Sequence, residues 1–297
     1  MHRIELSAVE KRFHERTAVK KTDLCLESGV YGLLGENGAG KTTLMRMICG
    51  VLKPTGGSIR CDGIEISRLG RAYRRLLGYL PQDFGYYGEF SARRFLRYMA
   101  ALKAMPQDCA ERRIDEMLEL VDLMPFQKQK LKTFSGGMLR RIGIAQALLN
   151  DPEILILDEP TAGLDPRERV RFRNIISSLG KERTVILSTH IVSDVDYIAD
   201  QIMIMKNGKI TAEGTERELK HMTGKIAWKC IAGEVEAERL GSRFTVSNLR
   251  HLENGVELRI VSDRRPAPDA EALEPSLEDI YLYLTGEKRG GTDDETV

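Results

Sequence analysis

No apolar run in this 297-residue chain approaches the roughly 18 residues of a membrane-crossing helix. The opening stretch, MHRIELSAVEKRF, equally lacks the apolar core of a secretory signal. The expectation is a cytoplasmic chain that meets a membrane only through a partner. Cysteine is sparse: Cys25, Cys49, Cys61, Cys109 and Cys230 are far apart, odd in number and form no C-x-x-C pair. That spacing fits neither a disulfide framework nor a zinc site, so reduced core thiols are expected. A strong charge of either sign is missing too, since the formal net charge is +1. The balance hides an asymmetry, because residues 1–150 carry 25 Lys+Arg against 16 Asp+Glu and residues 151–297 carry 20 against 28. A basic half can face phosphates, nucleic acid or a membrane surface, or be a solvated surface; composition leaves these open.

Against those absences stands a glycine-rich turn. Residues 30–50 read VYGLLGENGAGKTTLMRMICG, in which Val30 to Leu34 predict a strand and Leu44, Met45, Met47, Ile48 and Val51 an amphipathic helix. Gly35, Gly40, Lys41 and Thr42 fit G-x-x-x-x-G-K-[ST] in that strand–loop–helix setting. Side chains at Gly38 and Gly40 would keep backbone N–H groups from closing around phosphates, and the helix N-terminus adds a favourable dipole for an anion. Lys41 can reach the β- and γ-phosphates, and the Thr42 hydroxyl can ligate Mg²⁺. A turn used only for packing needs neither.

A second element completes the chemistry. ILILDEP, Ile154 to Pro160, predicts a strand buried on both faces of a parallel sheet. Asp158 and Glu159 then stand at its C-terminal edge, where such sheets bind ligands. Asp158 is placed to hold Mg²⁺ through water and Glu159 to polarise an attacking water. Further along, FSGGMLRRIGIAQALLN opens a helical pattern with Ser135, Gly136 and Gly137. Each glycine costs a helix roughly 1 kcal/mol relative to alanine, so the pair calls for a reason.

In order, GENGAGKTT, YLPQ, FSGGM, ILILDEP, GLD (residues 163–165) and STH resemble the phosphate loop, Q-loop, signature, Walker B, D-loop and H-switch of ATP-binding cassette ATPases. The resemblance covers residues 3 to about 220. It implies an α/β fold: a P-loop NTPase core with a mostly parallel sheet, an antiparallel β subdomain and a helical subdomain. It also implies ATP and Mg²⁺ as cofactors and a homodimer in which the signature of one copy faces the γ-phosphate held by the other. Ser135, Gly136 and Gly137 would then leave a bare helix tip for that phosphate. Asn37, Ala39 and Thr43 join Gly35, Gly38, Gly40, Lys41 and Thr42 in the phosphate cradle. Gln82 resembles the residue that senses Mg²⁺ and the attacking water, and His190 the switch that contacts the γ-phosphate and orients Glu159. Asp165 resembles the acid coupling the two sites, and Phe13 the aromatic that stacks on adenine. Departures are Met138 for a common glutamine, Phe134 for leucine, Phe13 for tyrosine, and Glu36 where proline or serine is usual.

Organisation follows the same outline. Residues 1–30 and 57–66 alternate apolar and polar, with a D-G hairpin signal at Asp62 and Gly63. Residues 84–150 read as mostly helical, resembling the helical subdomain. Within them, FSARRFLRYMAALK predicts a helix capped by Ser91, with Phe95, Leu96, Met99 and Leu102 on one face. Its Arg93, Arg94 and Arg97 are expected either to meet acidic residues or headgroups at the membrane subunit, or to be solvated. The nucleotide-binding domain is placed at residues 1–220 and an accessory region at 221–287, a small α+β extension. That extension reads as short strands with an N-G hairpin at Asn254 and Gly255, then a helix capped by Ser276. The tail 288–297, GGTDDETV with its two preceding residues, is expected to be disordered. The extension is similar to those of ATPase subunits of ABC-2-type export systems.

The expected function is therefore an ATP-hydrolysing subunit that dimerises around two MgATP and drives a separate integral membrane permease, for export. It would sit at the inner face of the cell membrane through that partner. The competing expectation is a non-transport cassette ATPase acting on a ribosome or nucleic acid. A single cassette without long coiled coils or zinc insertions favours the transporter, and no nucleic-acid partner is expected.

Overall fold

The computed structural model describes residues 2–180 and 182–286, and the expected disordered tail lies outside them. The chain divides into two compact units, Met1–Ile210 and Thr211–Val297. The first begins β1 (Ile4–Phe13), β2 (Arg16–Leu26), β3 (Gly29–Leu34), α1 (Lys41–Ile48), β4 (Gly56–Cys61), β5 (Ile64–Glu65), α2 (Ile66–Leu69), α3 (Arg71–Leu76) and β6 (Leu77–Leu80). Three helices follow, α4 (Ala92–Leu102), α5 (Gln107–Leu120) and α6 (Gly136–Leu148). The chain then returns to the sheet through β7 (Ile154–Asp158), α7 (Pro166–Leu179), β8 (Thr184–Thr189), α8 (Val192–Asp196), β9 (Gln201–Lys206) and β10 (Lys209–Gly214).

These strands form a four-stranded sheet in the order β2-β1-β4-β5 and a six-stranded sheet in the order β10-β9-β3-β8-β7-β6. β1 pairs antiparallel with β2 and β4, while β3, β6, β7, β8 and β9 run parallel. Every residue of β7 and β8 is buried, as strands of a parallel sheet covered on both faces should be. α1 packs Leu44, Met45, Met47 and Ile48 into a core shared with Leu6 and Leu26 of the antiparallel sheet and Ile156 and Ile186 of the parallel one. The helix that follows the glycine-rich turn is thus held from several sides.

The parallel register sets the site. Leu34 lies opposite Thr189, and Asp158 opposite Ser188. The ends of β3, β8 and β7 therefore finish side by side, and the three segments that leave them meet at one sheet edge.

Asp62 (φ 51°) and Gly63 (φ 77°) join Cys61 to Ile64 as the D-G signal predicts. An N-G pair that the sequence reading passed over, Asn207 (φ 49°) and Gly208 (φ 79°), forms the turn between β9 and β10. Ser91 caps α4 by accepting from Arg94 N–H at 3.3 Å. Phe95 and Leu96 are buried as expected, but Leu102 is exposed because the last turn of α4 runs past the core. The expectation of five core thiols needs correction as well: Cys49, Cys61 and Cys230 are buried, whereas Cys25 and Cys109 lie on exposed positions.

The second unit contains α9 (Glu216–Thr223), β11 (Ala227–Ala232), α10 (Glu234–Arg243), β12 (Thr245–Leu252), β13 (Gly255–Val261), β14 (Glu271–Leu273) and α11 (Leu277–Thr285). Its sheet is antiparallel, in the order β12-β13-β11-β14. Cys230, Ala237, Leu240, Val256, Leu258 and Ile260 form a core of its own. The expected hairpin is present, but Leu252 pairs with Gly255, so the turn is Glu253–Asn254. Gly255 instead opens β13 at φ 141°, where a Cβ would stand 2.7 Å from the Ala232 carbonyl oxygen. Among the described residues no helix is long and apolar enough to cross a membrane.

Candidate functional site

The loop between β3 and α1 is shaped by two left-handed glycines, Gly38 (φ 83°) and Gly40 (φ 110°). A Cβ on Gly40 would lie 2.4 Å from the Ala18 carbonyl oxygen, and one on Gly35 would lie 2.5 Å from that of Met205. The loop is thus pressed against β2 and β9, and only glycine fits. Gly208 N–H donates to Ala39 O at 2.8 Å, so the β9–β10 turn braces it from below. No side chain caps α1 at Gly40. Its first-turn amides, from Lys41, Thr42 and Thr43, remain a ready anion site. Asn37 sits on the exposed crest of the loop.

Lys41 turns inward. It is 5% exposed, and its Nζ donates to Gly35 O at 2.6 Å and Glu36 O at 3.2 Å. The same ammonium lies 3.2 Å from Glu159 Oε1. Glu159 is itself 4% exposed and holds a left-handed backbone, φ 47°, which a side chain adopts only under constraint. The constraint is visible: Glu159 N–H donates to Ser188 O at 3.2 Å and to Ser188 Oγ at 3.0 Å. His190 Nδ1 donates to Glu159 Oε2 at 3.0 Å, since a carboxylate can only accept. One carboxylate thus joins the lysine of the phosphate loop to the histidine after β8.

Asp158 is completely buried. Its Oδ1 accepts from Thr42 Oγ1 at 3.1 Å and from Ser188 Oγ at 2.6 Å, while its Oδ2 has no hydrogen-bond partner among the described residues. A buried carboxylate oxygen left bare beside a hydroxyl is an all-oxygen donor set, which suits a hard divalent cation. Ser188 escaped the sequence reading. Its only signal was a place in STH, and its two contacts exist because β8 is paired with β7.

The other sequence-predicted residues are placed as follows. Gln82 follows β6, the strand beside β7, but its side chain is exposed and makes no hydrogen bond to Thr42 or Asp158. Its backbone oxygen instead accepts from Arg140 Nη1 of α6 at 2.6 Å, tying the Gln82 loop to the signature helix. Burial lowers the pKa of the Arg140 guanidinium, against the pull of Asp83, Asp158 and Glu159. Ser135 caps α6 by accepting from Met138 N–H at 3.2 Å, and Gly136 is exposed with nothing within 4 Å of its Cβ position. Among the described residues, Ser135 makes no hydrogen bond to the phosphate loop of its own chain. Asp165 is an exposed N-cap of α7, accepting from Glu168 N–H at 2.9 Å. Phe13 ends β1, 44% exposed, with Lys11 Nζ 5.1 Å from its ring centre. The register places Arg16 opposite Phe13, and the Arg16 Nη2 lies 3.7 Å from the Cβ position of Gly38. Another missed contact is buried: Thr161 Oγ1 donates to Asp194 Oδ2 at 2.5 Å, linking the segment after Glu159 to the helix after His190.

Comparison with known proteins decides what this constellation is. The ABC transporter family pattern matches residues 19–162. Over 96% of both chains, this protein is 34% identical to the daunorubicin resistance ATP-binding protein DrrA3 of Streptomyces coeruleorubidus. The chain belongs to the ABC transporter ATP-binding family. It is also 38% identical to the bacitracin transport ATP-binding protein BcrA of Bacillus licheniformis, over 97% of this chain and 98% of that one. Among solved structures, the dimeric post-hydrolysis state of the ATP-binding cassette MJ0796 bound to ADP and Pi superposes with TM-score 0.65 at 26% identity. That match covers 71% of this chain and 98% of the other. This ABC subunit therefore binds ATP and hydrolyses it, and the α/β cassette fold expected from the sequence is present.

Proposed function

We propose that two copies of this ABC subunit pair head to tail around two MgATP and drive a separate integral membrane permease in export. The observation that carries this reading is the Lys41–Glu159–His190 chain beside the buried Asp158–Thr42 pair. Glu159 is the proposed general base, held on one oxygen by His190. Its other oxygen lies against the Lys41 ammonium, which would turn to the β- and γ-phosphates once ATP enters. Thr42 and Asp158 would hold Mg²⁺, and the bare Asp158 Oδ2 supports that assignment. When bound, the cation neutralises developing phosphate charge. Gln82 is assigned to the metal and the attacking water, a contact that requires its exposed loop to move inward. Gly35, Asn37, Gly38, Ala39, Gly40 and Thr43 cradle the phosphates by backbone N–H groups, and Phe13 stacks on the base.

Ser135, Gly136 and Gly137 present an uncovered helix tip, which supports a role across the dimer, with Asp165 coupling the two sites. The nucleotide-binding domain is assigned to residues 1–220 and an accessory role to 221–287. For the permease, the helical region offers the exposed Tyr87 and Tyr98 beside Phe90, and the exposed Tyr86 beside Phe84. Arg94 stacks on Phe90 at 4.2 Å. Arg93 and Arg97 are already paired with Glu111, and Arg93 with Asp115, so Arg94 is the arginine best placed for a partner. The chain would thereby sit at the cytoplasmic face of the membrane. Export is supported by relatives named for daunorubicin resistance and bacitracin transport.

Glu159→Gln is the test. Turnover should fall roughly 10²–10⁴-fold, the usual share of a general base. Size-exclusion chromatography with light scattering should find a dimer in MgATP and a monomer without it. Near-normal hydrolysis removes Glu159 as the base, and a monomer at saturating MgATP removes the head-to-tail pairing.

A further inference from the structure

Away from the nucleotide, the described residues bring together His2, Cys61 and Asp62, whose ligand-capable atoms all lie within 4.8 Å of one another. Three separate features produce the cluster. The antiparallel register sets Ile4 opposite Cys61, so residue 2 reaches the β4–β5 turn. That turn places Asp62 at φ 51°, directly after the buried Cys61. Asp62 is then pinned twice by the strand beside it: Arg3 N–H donates to Asp62 Oδ1 at 2.9 Å, and Asp62 N–H donates to Arg3 O at 2.9 Å. The position of the carboxylate is settled before any ligand arrives.

Cys61 Sγ lies 3.9 Å from Asp62 Oδ2, and His2 Nδ1 bonds the same oxygen at 2.5 Å, a contact that an entering ion would open to about 3.3 Å, the ligand spacing of a tetrahedral site. The other ring nitrogen, His2 Nε2, stands 3.3 Å from Glu153 Oε2, one residue before β7. Histidines that bind metals nearly always hand their second N–H to a carboxylate, which fixes the ring and its tautomer. Glu153 is placed for that, leaving Nδ1 to face Cys61 and Asp62. Charge favours a cation too, because two carboxylates surround one imidazole. Burial, with Asp62 and Glu153, pushes the Cys61 thiol up to about 11. A doubly charged ion reverses that bias and takes the thiolate.

We propose that His2 Nδ1, Cys61 Sγ and Asp62 Oδ2 bind a zinc-class divalent cation, with Glu153 orienting the imidazole and a fourth position open to water. A mixed nitrogen, sulfur and oxygen set selects zinc over magnesium or calcium. Binding releases the thiol proton of Cys61 to solvent, and any proton held on His2 Nδ1 leaves with it. The ion would staple the start of β1 to the β4–β5 hairpin, with Glu153 tying it to the approach of β7. Cysteine spacing excluded a zinc site only among cysteines. Residues 2 and 61 are joined by sheet register, which no spacing rule sees.

The probe is Co²⁺ added to tag-free, metal-free full-length chain in excess Mg²⁺ without nucleotide. One equivalent should give a thiolate-to-cobalt absorption band in the near ultraviolet that Zn²⁺ abolishes, and Zn²⁺ should raise Tm by several degrees. His2→Gln, a change at a partly exposed residue that spares the core, and Cys61→Ser should each lose the band. Glu153→Gln should weaken binding about tenfold, the usual cost of an outer-sphere partner. Cys25→Ser and Cys109→Ser should keep it. Absence of a band in the wild type, or a band that survives His2→Gln and disappears with Cys25 or Cys109, overturns the proposal. His2 is then simply a hydrogen-bonding bridge between Asp62 and Glu153.

Discussion

Gly136 and Gly137 share one helix tip, yet intramolecular packing constrains them differently. A Cβ at Gly137 would meet the Glu168 side chain at 3.2 Å, and Glu168 is itself held by Arg141 at 3.1 Å. At Gly136 a Cβ would meet nothing within 4 Å. Packing therefore accounts for the second glycine and gives no reason for the first, which the proposed phosphate contact would supply. Gly136→Ala should leave Tm unchanged or slightly higher, by up to about 1 kcal/mol of helix propensity. Its ATPase rate should nevertheless fall at least about tenfold, equivalent to roughly 1.4 kcal/mol of lost transition-state binding, because a methyl group blocks approach to the amides. Wild-type turnover in that variant would show that the tip meets no phosphate. The glycines, Lys41, Thr42, Asp158 and Glu159 were legible as a motif because each lies within a few residues of the turn or strand end that uses it. Ser188, Thr161 and Asp194 were not, since their partners lie 29 to 33 residues away.

At the scale of elements, the same two-residue signal had different fates. Asp62–Gly63 and Asn207–Gly208 both became tight turns with left-handed backbones, whereas Asn254–Gly255 slipped by one position. Local sequence proposes such turns, and strand register decides where they sit. The Asn207–Gly208 turn also supports the phosphate loop through Gly208 N–H on Ala39 O, and Lys20 N–H donates to Gly208 O at 2.7 Å. Gly208 has φ 79°, and a Cβ there would lie 2.9 Å from the Ala18 carbonyl oxygen. Gly208→Ala should cost about 2 kcal/mol or more from backbone strain and crowding. It should also raise the KM for ATP more than it lowers kcat, since the cradle is displaced while Glu159 and His190 stay in place. Chemical denaturation and steady-state kinetics check both parts, and an unchanged KM would separate the turn from the loop.

At the scale of the molecule, the two units have separate cores and separate electrostatic anchors. In the second, Asp279 is the N3 residue of the α11 capping box and also accepts from Arg259 Nε and Nη2 and from Ser247. Burial pushes the Asp279 carboxyl up, but Arg259, Ser276 and Ser247 outweigh it and hold the pKa below its ordinary value. A carboxyl depressed on folding contributes stability above its unfolded pKa, about 3.9, and loses it as pH falls through the lower folded value. Arg259→Met leaves that buried carboxylate without its cation and should cost about 3 kcal/mol at pH 7. The penalty should shrink toward pH 4, where the abandoned carboxyl can take up a proton; thermal melts of both proteins across that range would reveal a pH-independent penalty if the pairing were immaterial. The sequence by itself determined the chemistry of this protein: a phosphate cradle, two carboxylates at a buried strand end and a bare helix tip, each specified by neighbours within one strand, turn or helix. Tertiary structure alone decided which atoms touch, placing Lys41 against Glu159, Ser188 against Asp158 and His2 against Asp62. Those contacts depend on the parallel order β3-β8-β7 and on the antiparallel register of β1 with β4, and both join segments that are distant along the chain.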